Sequence, residues 1–182
     1  MMDSENIIQW YVMRDLKRPN ARKRAYQLLG EQGFTVFTPK IWQITIRSGK
    51  RVRVEIPYIP SLLFVRDSRK HLDPIVGQTP LLQYHWHRHK WRVPMTVPDA
   101  DMNRFIQAVA ATPSPQYLLP SEITPQMYNR RIRIVGGPLD GQEGTLVTTR
   151  GSKVKRLLVE LRGLLAVSVE VNPEYIRLVE SD

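Results

Sequence analysis

Residues 135–146 read Val-Gly-Gly-Pro-Leu-Asp-Gly-Gln-Glu-Gly-Thr-Leu, and four of these twelve residues are glycine. Glycine at this density predicts a turn with positive φ at more than one position. No helix pattern follows the turn, whereas a phosphate-binding loop leads into a helix N-terminus. We therefore exclude a nucleotide-binding loop. Around the turn lie five short strand patterns, at Arg131–Val135, Thr145–Thr149, Leu157–Leu161, Ala166–Val171 and Ile176–Val179. Roughly 55 residues of this kind predict a small all-β barrel.

The preceding part of the chain mixes strand and helix patterns, which predicts an α+β fold class. Its strand patterns are Ile8–Arg14, Thr35–Ile41, Ser61–Arg66 and Leu81–His87, together with a hairpin of Trp42–Ile46 and Val52–Ile56 around a basic tip. Helices are predicted at Asn20–Leu29 and at Asp99–Ala111, where Met102, Phe105, Ile106 and Val109 share one face. In the first helix, we expect Arg22, Lys23 and Arg24 to project largely away from the core.

Two independent signals place a domain boundary near residues 112–127. The segment from Ala111 to Pro125 contains four prolines, which interrupt both helices and strand ladders. The charge balance changes at the same place, from 18 basic against 9 acidic residues in 1–111 to 9 against 8 in 112–182. We therefore predict a mixed α/β domain at 5–111, a proline-rich linker at 112–127 and a barrel at 128–182.

The positive charge of the first domain is concentrated near its start. Between Arg14 and Arg53 there are 11 basic residues and only two acidic ones, within a chain of formal net charge +10. Such a density attracts polyanions over about one Debye length, roughly 8 Å at physiological salt. The alternative is a face that serves solubility only. The predicted nucleic-acid-binding residues are Arg14, Lys17, Arg18, Arg22, Lys23 and Arg24.

The glycine-rich turn with its flanking strands resembles the KOW motif of NusG-type transcription factors, carried here by Gly136, Gly137, Pro138, Leu139, Gly141 and Gly144. The first domain resembles the NusG N-terminal domain in Trp10-Tyr11-Val12, in the basic segment, in Gly33-Phe34 and in the segment 57–65. Within this family, the sequence Gly-Pro-Leu-Asp-Gly-Gln-Glu-Gly is most similar to that of the specialised UpxY and RfaH antiterminator branch.

This resemblance implies a bacterial transcription elongation or antitermination factor with an SH3-like KOW barrel. Such a factor docks on the clamp of the RNA polymerase β′ subunit and suppresses pausing or premature termination, here with capsular or surface polysaccharide operons as the implied targets. The clamp-binding positions carried over from the family are Trp10, Ile59, Pro60 and Leu62. Pro60-Ser61-Leu62 stands where the family has Pro-Gly-Tyr. DNA of the elongation complex is the second implied partner, and Rho or ribosomal protein S10 would bind the barrel.

The cysteines, histidines and carboxylates of the sequence limit the kinds of metal site and catalytic site that the chain can contain. The chain has no cysteine, which excludes disulfides, thiolate catalysis and thiolate metal sites. His85, His87 and His89 alternate, as metal ligands on a strand would, but basic neighbours oppose a cation, and we expect no metal and no cofactor. Asp99 and Asp101 are better explained as the start of a helix than as a catalytic pair, so we expect no enzymatic activity.

Two questions stay open at this level. A KOW-containing RNA-binding or ribosome-binding protein is the alternative function, although its barrel would be expected to carry the charge itself. Trp42, Trp86 and Trp91 are candidates for the core, an interface or base stacking, and the sequence does not rank them. No run approaches the roughly 18 apolar residues of a membrane span. Since the start of the chain also lacks the pattern of a secretory signal, we expect a cytoplasmic location.

Overall fold

A computed structural model describes residues 4–18, 21–128, 130–148 and 151–179. The chain forms two compact units, Met1–Asp99 and Ala100–Asp182. The predicted domain ranges, 5–111 and 128–182, stay a prediction. In the described part of the chain, no helix has the length and apolar character needed to cross a membrane.

The first unit contains seven strands and two α-helices among its described residues, besides a short 3-10 helix at Ser4–Asn6. In chain order they are β1 (Gln9–Asp15), α1 (Ala25–Glu31), β2 (Thr35–Phe37), β3 (Lys40–Arg47), β4 (Lys50–Pro57), β5 (Leu62–Asp67), α2 (Arg69–Gln78), β6 (Leu82–Tyr84) and β7 (Thr96–Val97). The main sheet has the order β2-β5-β1-β6, with β7 also paired to β1. Every pairing in this sheet is antiparallel. The α+β fold class is therefore confirmed for the described residues.

The central strand β1 is buried because both of its faces are apolar, as a strand in the middle of a sheet requires. Tyr11 and Met13 lie on the face that packs against the helices. Leu29 of α1 and Leu72 of α2 belong to the same buried cluster. On the opposite face, Val12 is also fully buried. The strand predicted at Ile8–Arg14 is thus confirmed, shifted by one residue.

Strands β3 and β4 form a separate two-stranded sheet, as predicted for the basic hairpin. They pair in register from Lys40 with Pro57 to Arg47 with Lys50. The two residues of the turn, Ser48 and Gly49, have φ values of 49° and 75°. Positive φ at both central positions is the geometry that keeps two-residue turns compatible with strand twist.

Several elements of the first unit differ from the predictions. The strand expected at Thr35–Ile41 ends at Phe37, and Ile41 already belongs to β3. Strand β7 was not predicted. The helix expected at Asn20–Leu29 begins only at Ala25, since Arg24 is extended and its N–H donates to the Gln27 side chain; Asn20 lies outside the described residues. Helix α2 was not predicted, because Pro74 and Gly77 interrupt its helical pattern. The strand expected at Leu81–His87 is regular only as far as the end of β6.

The second unit contains one α-helix and six strands among its described residues. They are α3 (Asp99–Ala110), which begins at the last residue of the first unit, β8 (Gln116–Leu118), β9 (Arg130–Ile134), β10 (Glu143–Thr148), β11 (Lys155–Leu161), β12 (Leu165–Val171) and β13 (Ile176–Leu178). The sheet order is β13-β9-β10-β11-β12-β8. Helix α3 confirms the predicted helix, and Met102 and Phe105 on its predicted face are fully buried.

All five predicted strands of this unit are present, although Thr149, the predicted end of one, lies outside the described residues. Strand β8 was not predicted; it lies in the proline-rich segment and pairs with β12. The sheet is antiparallel throughout, but β13 and β8 form its two ends and no pairing between the described strands closes it. The predicted SH3-like barrel is therefore not confirmed.

The glycine-rich turn has the backbone geometry that its sequence predicts. Gly136, Gly137 and Gly141 have φ values of 105°, 70° and 78°. The ring of Tyr175 lies against the first two glycines, where an added Cβ would approach it to 3.0 Å. At Gly144, an added Cβ would lie 2.3 Å from the carbonyl oxygen of Leu158. The four glycines of the motif thus serve backbone conformation and close strand packing.

We predict that Gly144→Ala lowers the free energy of unfolding by about 1–3 kcal/mol, because the new methyl group meets the backbone of β11. The control is Gly30→Ala in α1, where the added Cβ would have no described atom within 4 Å apart from its chain neighbours and the backbone of its own helix. Replacing a helical glycine by alanine is expected to stabilise by about 0.5–1 kcal/mol. Urea unfolding of both variants checks the pair, and equal effects at the two sites would contradict the packing described for Gly144.

Candidate nucleic-acid interface

A buried ion pair determines the conformation of the basic segment that follows β1. Asp15 and Arg24 are 3% and 7% exposed, and Arg24 Nε lies 3.2 Å from Asp15 Oδ2. The same carboxylate accepts hydrogen bonds from the backbone N–H groups of Lys17, at 2.9 Å, and Ala25, at 2.8 Å. Asp15 therefore joins the end of β1 to the start of α1.

The guanidinium of Arg24 satisfies three backbone carbonyl groups. It donates to the oxygens of Lys17, at 3.1 Å, and Arg18, at 2.8 Å. It also donates to the carbonyl oxygen of Pro60, in the turn between β4 and β5. A planar guanidinium with five N–H donors suits this arrangement, which a lysine side chain does not reproduce.

The segment held in this way lines an open cavity of about 820 Å³, which we call the basic cavity. Its lining residues are Lys17, Arg18, Ala21, Arg22, Lys23, Leu28 and Leu81. Arg18 and Arg22 are exposed. Lys23 forms an exposed ion pair of 2.9 Å with Glu31. The structure thus brings four of the six predicted nucleic-acid-binding residues to one cavity.

The other two predicted residues lie elsewhere. Arg14 is exposed on β1, where it is in register with Gln83 of β6. The helical pattern predicted that Arg24 projects into solvent, and this prediction is wrong. Its contacts with Asp15 and three carbonyl groups bury the side chain. Arg24 therefore fixes the conformation of the segment that lines the basic cavity, and its own side chain is not part of the lining.

The four predicted polymerase-binding residues differ in accessibility. Trp10 and Leu62 are buried, with 4% and 8% exposure. Ile59 is half-buried and Pro60 is exposed, both in the turn that precedes β5. The N–H of Leu62 donates to the oxygen of Ile59 at 3.0 Å, which fixes this turn. Only Ile59 and Pro60 of the predicted set are accessible to a partner.

The polar network beside the main sheet is structural. Tyr84 donates a hydrogen bond of 2.6 Å to Asp73, which also pairs with Arg69 at 2.9 Å. Burial, followed by the bond to this carboxylate, raises the pKa of Tyr84 far above its usual value, so the phenol keeps its proton. The network therefore links α2 to β6.

The three alternating histidines do not lie on one regular strand. Their segment forms the loop between β6 and β7, in which the N–H of His85 donates to Val12 and that of His87 to Val93. Burial, with Arg14 as the next cause, lowers the pKa of His85. Within the described ranges, no group of three or more His, Asp or Glu side chains is arranged to hold a metal ion.

The carboxylates considered as a catalytic pair are engaged with arginines. Arg66 donates two hydrogen bonds to Asp99, which hold the pKa of that carboxyl below its usual value. Asp101 accepts a hydrogen bond from Arg104 on the same helix. Both pairs are exposed and stabilise the start of α3.

The three tryptophans that the sequence did not rank have distinct environments. Trp42 lies on the hairpin, 47% exposed, with Arg53 over its ring at 4.4 Å. Trp86 packs edge-on against Tyr84, with ring centroids 5.7 Å apart. Trp91 is 86% exposed. No signal in the sequence separates these side chains, because their exposure depends on the packing around β3 and around the loop between β6 and β7.

A family model described as transcription termination factor nusG matches residues 8–106, more than half of the chain. Among solved structures, the chain is similar to that described as "Domain interaction in Thermotoga maritima NusG", with a TM-score of 0.45 and 12% sequence identity. This match covers 96% of the present chain and 98% of the other. No protein with curated annotation matches the chain.

We predict that Arg24→Met destabilises the fold by about 3–5 kcal/mol, because it leaves the Asp15 carboxylate buried without its partner charge. Lys23→Met is the matched control, since it removes one neighbouring cation from an exposed pair worth about 0.2–1 kcal/mol. Urea unfolding measures both. In Asp15→Asn/Arg24→Met, part of the loss should be recovered, and a similar small cost for Arg24→Met and Lys23→Met would contradict this role of the pair.

Proposed function

The chain belongs to the NusG family of transcription factors, and we propose that it is an elongation and antitermination factor that binds RNA polymerase and suppresses pausing. The observation that carries the proposal is the family match, which spans β1 to β7 and most of α3. The basic cavity supports the proposal, because a factor bound to a transcribing polymerase lies close to exposed nucleic acid.

Such a factor needs no bond chemistry. Pausing is an equilibrium between polymerase conformations, and a protein that binds the elongating conformation more tightly shifts that equilibrium. A difference of about 1.4 kcal/mol in binding free energy changes the ratio tenfold. The contribution of the protein is therefore a surface that recognises one polymerase conformation and stays bound while the enzyme moves.

We infer that the clamp of the β′ subunit contacts the turn before β5. Ile59 and Pro60 are its accessible apolar residues, whereas Trp10 and Leu62 lie beneath the surface and would support the turn. Apolar anchors at the centre of an interface supply most of its binding free energy. The bond from Arg24 to the Pro60 carbonyl ties this turn to the basic segment.

The basic cavity would then contact DNA of the elongation complex, either the non-template strand or the upstream duplex. Arg18 and Arg22 are exposed at its rim, and Leu28 and Leu81 provide apolar lining. Contacts of this kind with phosphates position a protein on DNA without reading sequence. Arg14 extends the positive surface along β1.

The finer assignments are part of the same proposal. We propose that the chain belongs to the UpxY and RfaH branch, on the basis of the sequence of the glycine-rich turn. Capsular or surface polysaccharide operons would then be its targets. Rho or ribosomal protein S10 would bind the second unit, whose strands we propose to represent a KOW domain. Binding to structured RNA without any affinity for polymerase would instead favour the RNA-binding alternative.

We predict that Ile59→Asp weakens binding to core RNA polymerase at least tenfold, because a charged group would enter an apolar contact. Leu178→Asp is the control, since Leu178 is an exposed leucine (58%) in the second unit. Binding is measured by biolayer interferometry with polymerase from the source organism, after circular dichroism confirms folding of each variant. Unchanged affinity of Ile59→Asp would remove the proposed dock.

The basic cavity generates a separate prediction. Arg22→Glu/Lys23→Glu should weaken binding to a complete elongation complex and make the slope of log affinity against log salt shallower by about 1.4, if two phosphate contacts to a single strand are lost. The control is Lys70→Glu/Lys153→Glu, which makes the same change in net charge at exposed positions outside the cavity. The same slope in both double variants would show that the cavity has no phosphate contacts.

A further inference from the structure

The loop between β6 and β7 presents an unusual set of side chains, and we call its residues 86–92 the tryptophan loop. A bridge between Trp86 and Pro94 closes its base. Two further backbone hydrogen bonds, Met95 N–H to His85 at 2.7 Å and His87 N–H to Val93 at 2.9 Å, hold the two sides together. The loop is thus a structured excursion from the edge of the sheet.

At its tip, Trp91 is 86% exposed. Large aromatic side chains are normally buried, because each removes about 150–250 Å² from water. The next residue, Arg92, has a φ of 51°, a left-handed conformation that costs free energy for a residue with a side chain. Its guanidinium lies 5.5 Å from the Trp91 ring centroid. An exposed ring beside an arginine in a strained conformation indicates a binding surface.

The loop is also strongly cationic. Arg88, Lys90 and Arg92 are exposed, and the sequence contains no acidic residue between Asp73 and Asp99. The residues of the loop line an open cavity of about 590 Å³, within the range of small-ligand sites. The partner that complements this cavity has a flat aromatic surface and negative charge.

We propose that the tryptophan loop binds a single-stranded polynucleotide, with one base stacked on Trp91 and the flanking phosphates held by Arg88, Lys90 and Arg92. Stacking requires a free base face, which a duplex does not offer, whereas every unpaired base presents one. A basic loop with tryptophan also suits an anionic membrane surface, but an open cavity of about 590 Å³ on one short loop fits a single ring better than a lipid interface.

The tryptophan loop lies near the basic cavity, which supports a single-stranded polynucleotide as its partner. Leu81, at the basic cavity, immediately precedes β6, and Trp86, at the tryptophan loop, follows it by two residues. At about 3.3 Å per residue, these positions lie roughly 16 Å apart. Arg14 is exposed between them, in register with Gln83 of β6. The two cavities therefore lie at the two ends of β6, close together along the chain.

The test uses the purified full-length chain with fluorescein-labelled 20-mers of dT and rU, a 20-base-pair duplex and phosphatidylglycerol vesicles. Trp91→Ala removes the stacking ring and keeps the charges, whereas Trp91→Phe keeps an aromatic face. Trp42→Ala is the matched control, because Trp42 is also an exposed tryptophan beside an arginine. Arg88→Gln/Arg92→Gln removes two of the proposed phosphate contacts.

Fluorescence anisotropy should show that Trp91→Ala weakens binding to one or both single strands by about 5- to 150-fold, with an unchanged salt slope. Trp91→Phe should retain most of the affinity, and Trp42→Ala all of it. Arg88→Gln/Arg92→Gln should make the salt slope shallower by about 1.4. The comparison of dT with rU decides whether DNA or RNA is the preferred strand.

Three results would overturn the proposal: equal affinities of Trp91→Ala and Trp42→Ala for both single strands, a loss with Trp91→Ala that is as large for the duplex, or Trp91-dependent binding to vesicles alone. The assay contains no polymerase. Failure here would therefore leave the proposed elongation function intact, and failure of polymerase binding would leave this site intact.

Discussion

The buried contact between Asp15 and Arg24 is the constraint on which the first unit depends. A carboxylate removed from water needs a partner charge and hydrogen bonds, and Asp15 obtains them from Arg24 and from two backbone N–H groups. Arg24 in turn fixes carbonyl groups before and after it in the chain. The end of β1, the basic segment, the start of α1 and the turn before β5 are therefore held by one pair of side chains.

Many charged side chains of the first unit are paired with each other, and the unpaired ones are available to a partner. Asp15, Glu31, Glu55, Asp73 and Asp99 each lie within ion-pair distance of an arginine or lysine. Because the acidic groups are largely occupied in this way, the excess of basic residues remains uncompensated at the surface. Part of this excess lies at the two ends of β6, in the basic cavity and in the tryptophan loop.

The sequence predicted the elements whose pattern is local. A short apolar run identified β1, two strand patterns around a basic turn identified the β3–β4 hairpin, helical spacing identified α3, and the glycines of residues 135–146 identified the turn before β10. It failed where a distant contact decides: the start of α1 at Ala25 depends on Asp15, ten residues earlier. Burial of Arg24 and Leu62 follows from tertiary packing, which residue type alone does not specify. The exposure of Trp91 has the same origin, so the candidate stacking site could not be recognised before the fold.

Pause lifetimes on a defined DNA template test the central claim most directly. Core RNA polymerase from the source organism is halted, released and followed with increasing concentrations of the full-length chain. We expect pauses to shorten as the protein saturates the elongation complex, since preferential binding to the elongating conformation lowers the population of the paused one. Unchanged pause lifetimes at concentrations that saturate the complex would contradict it.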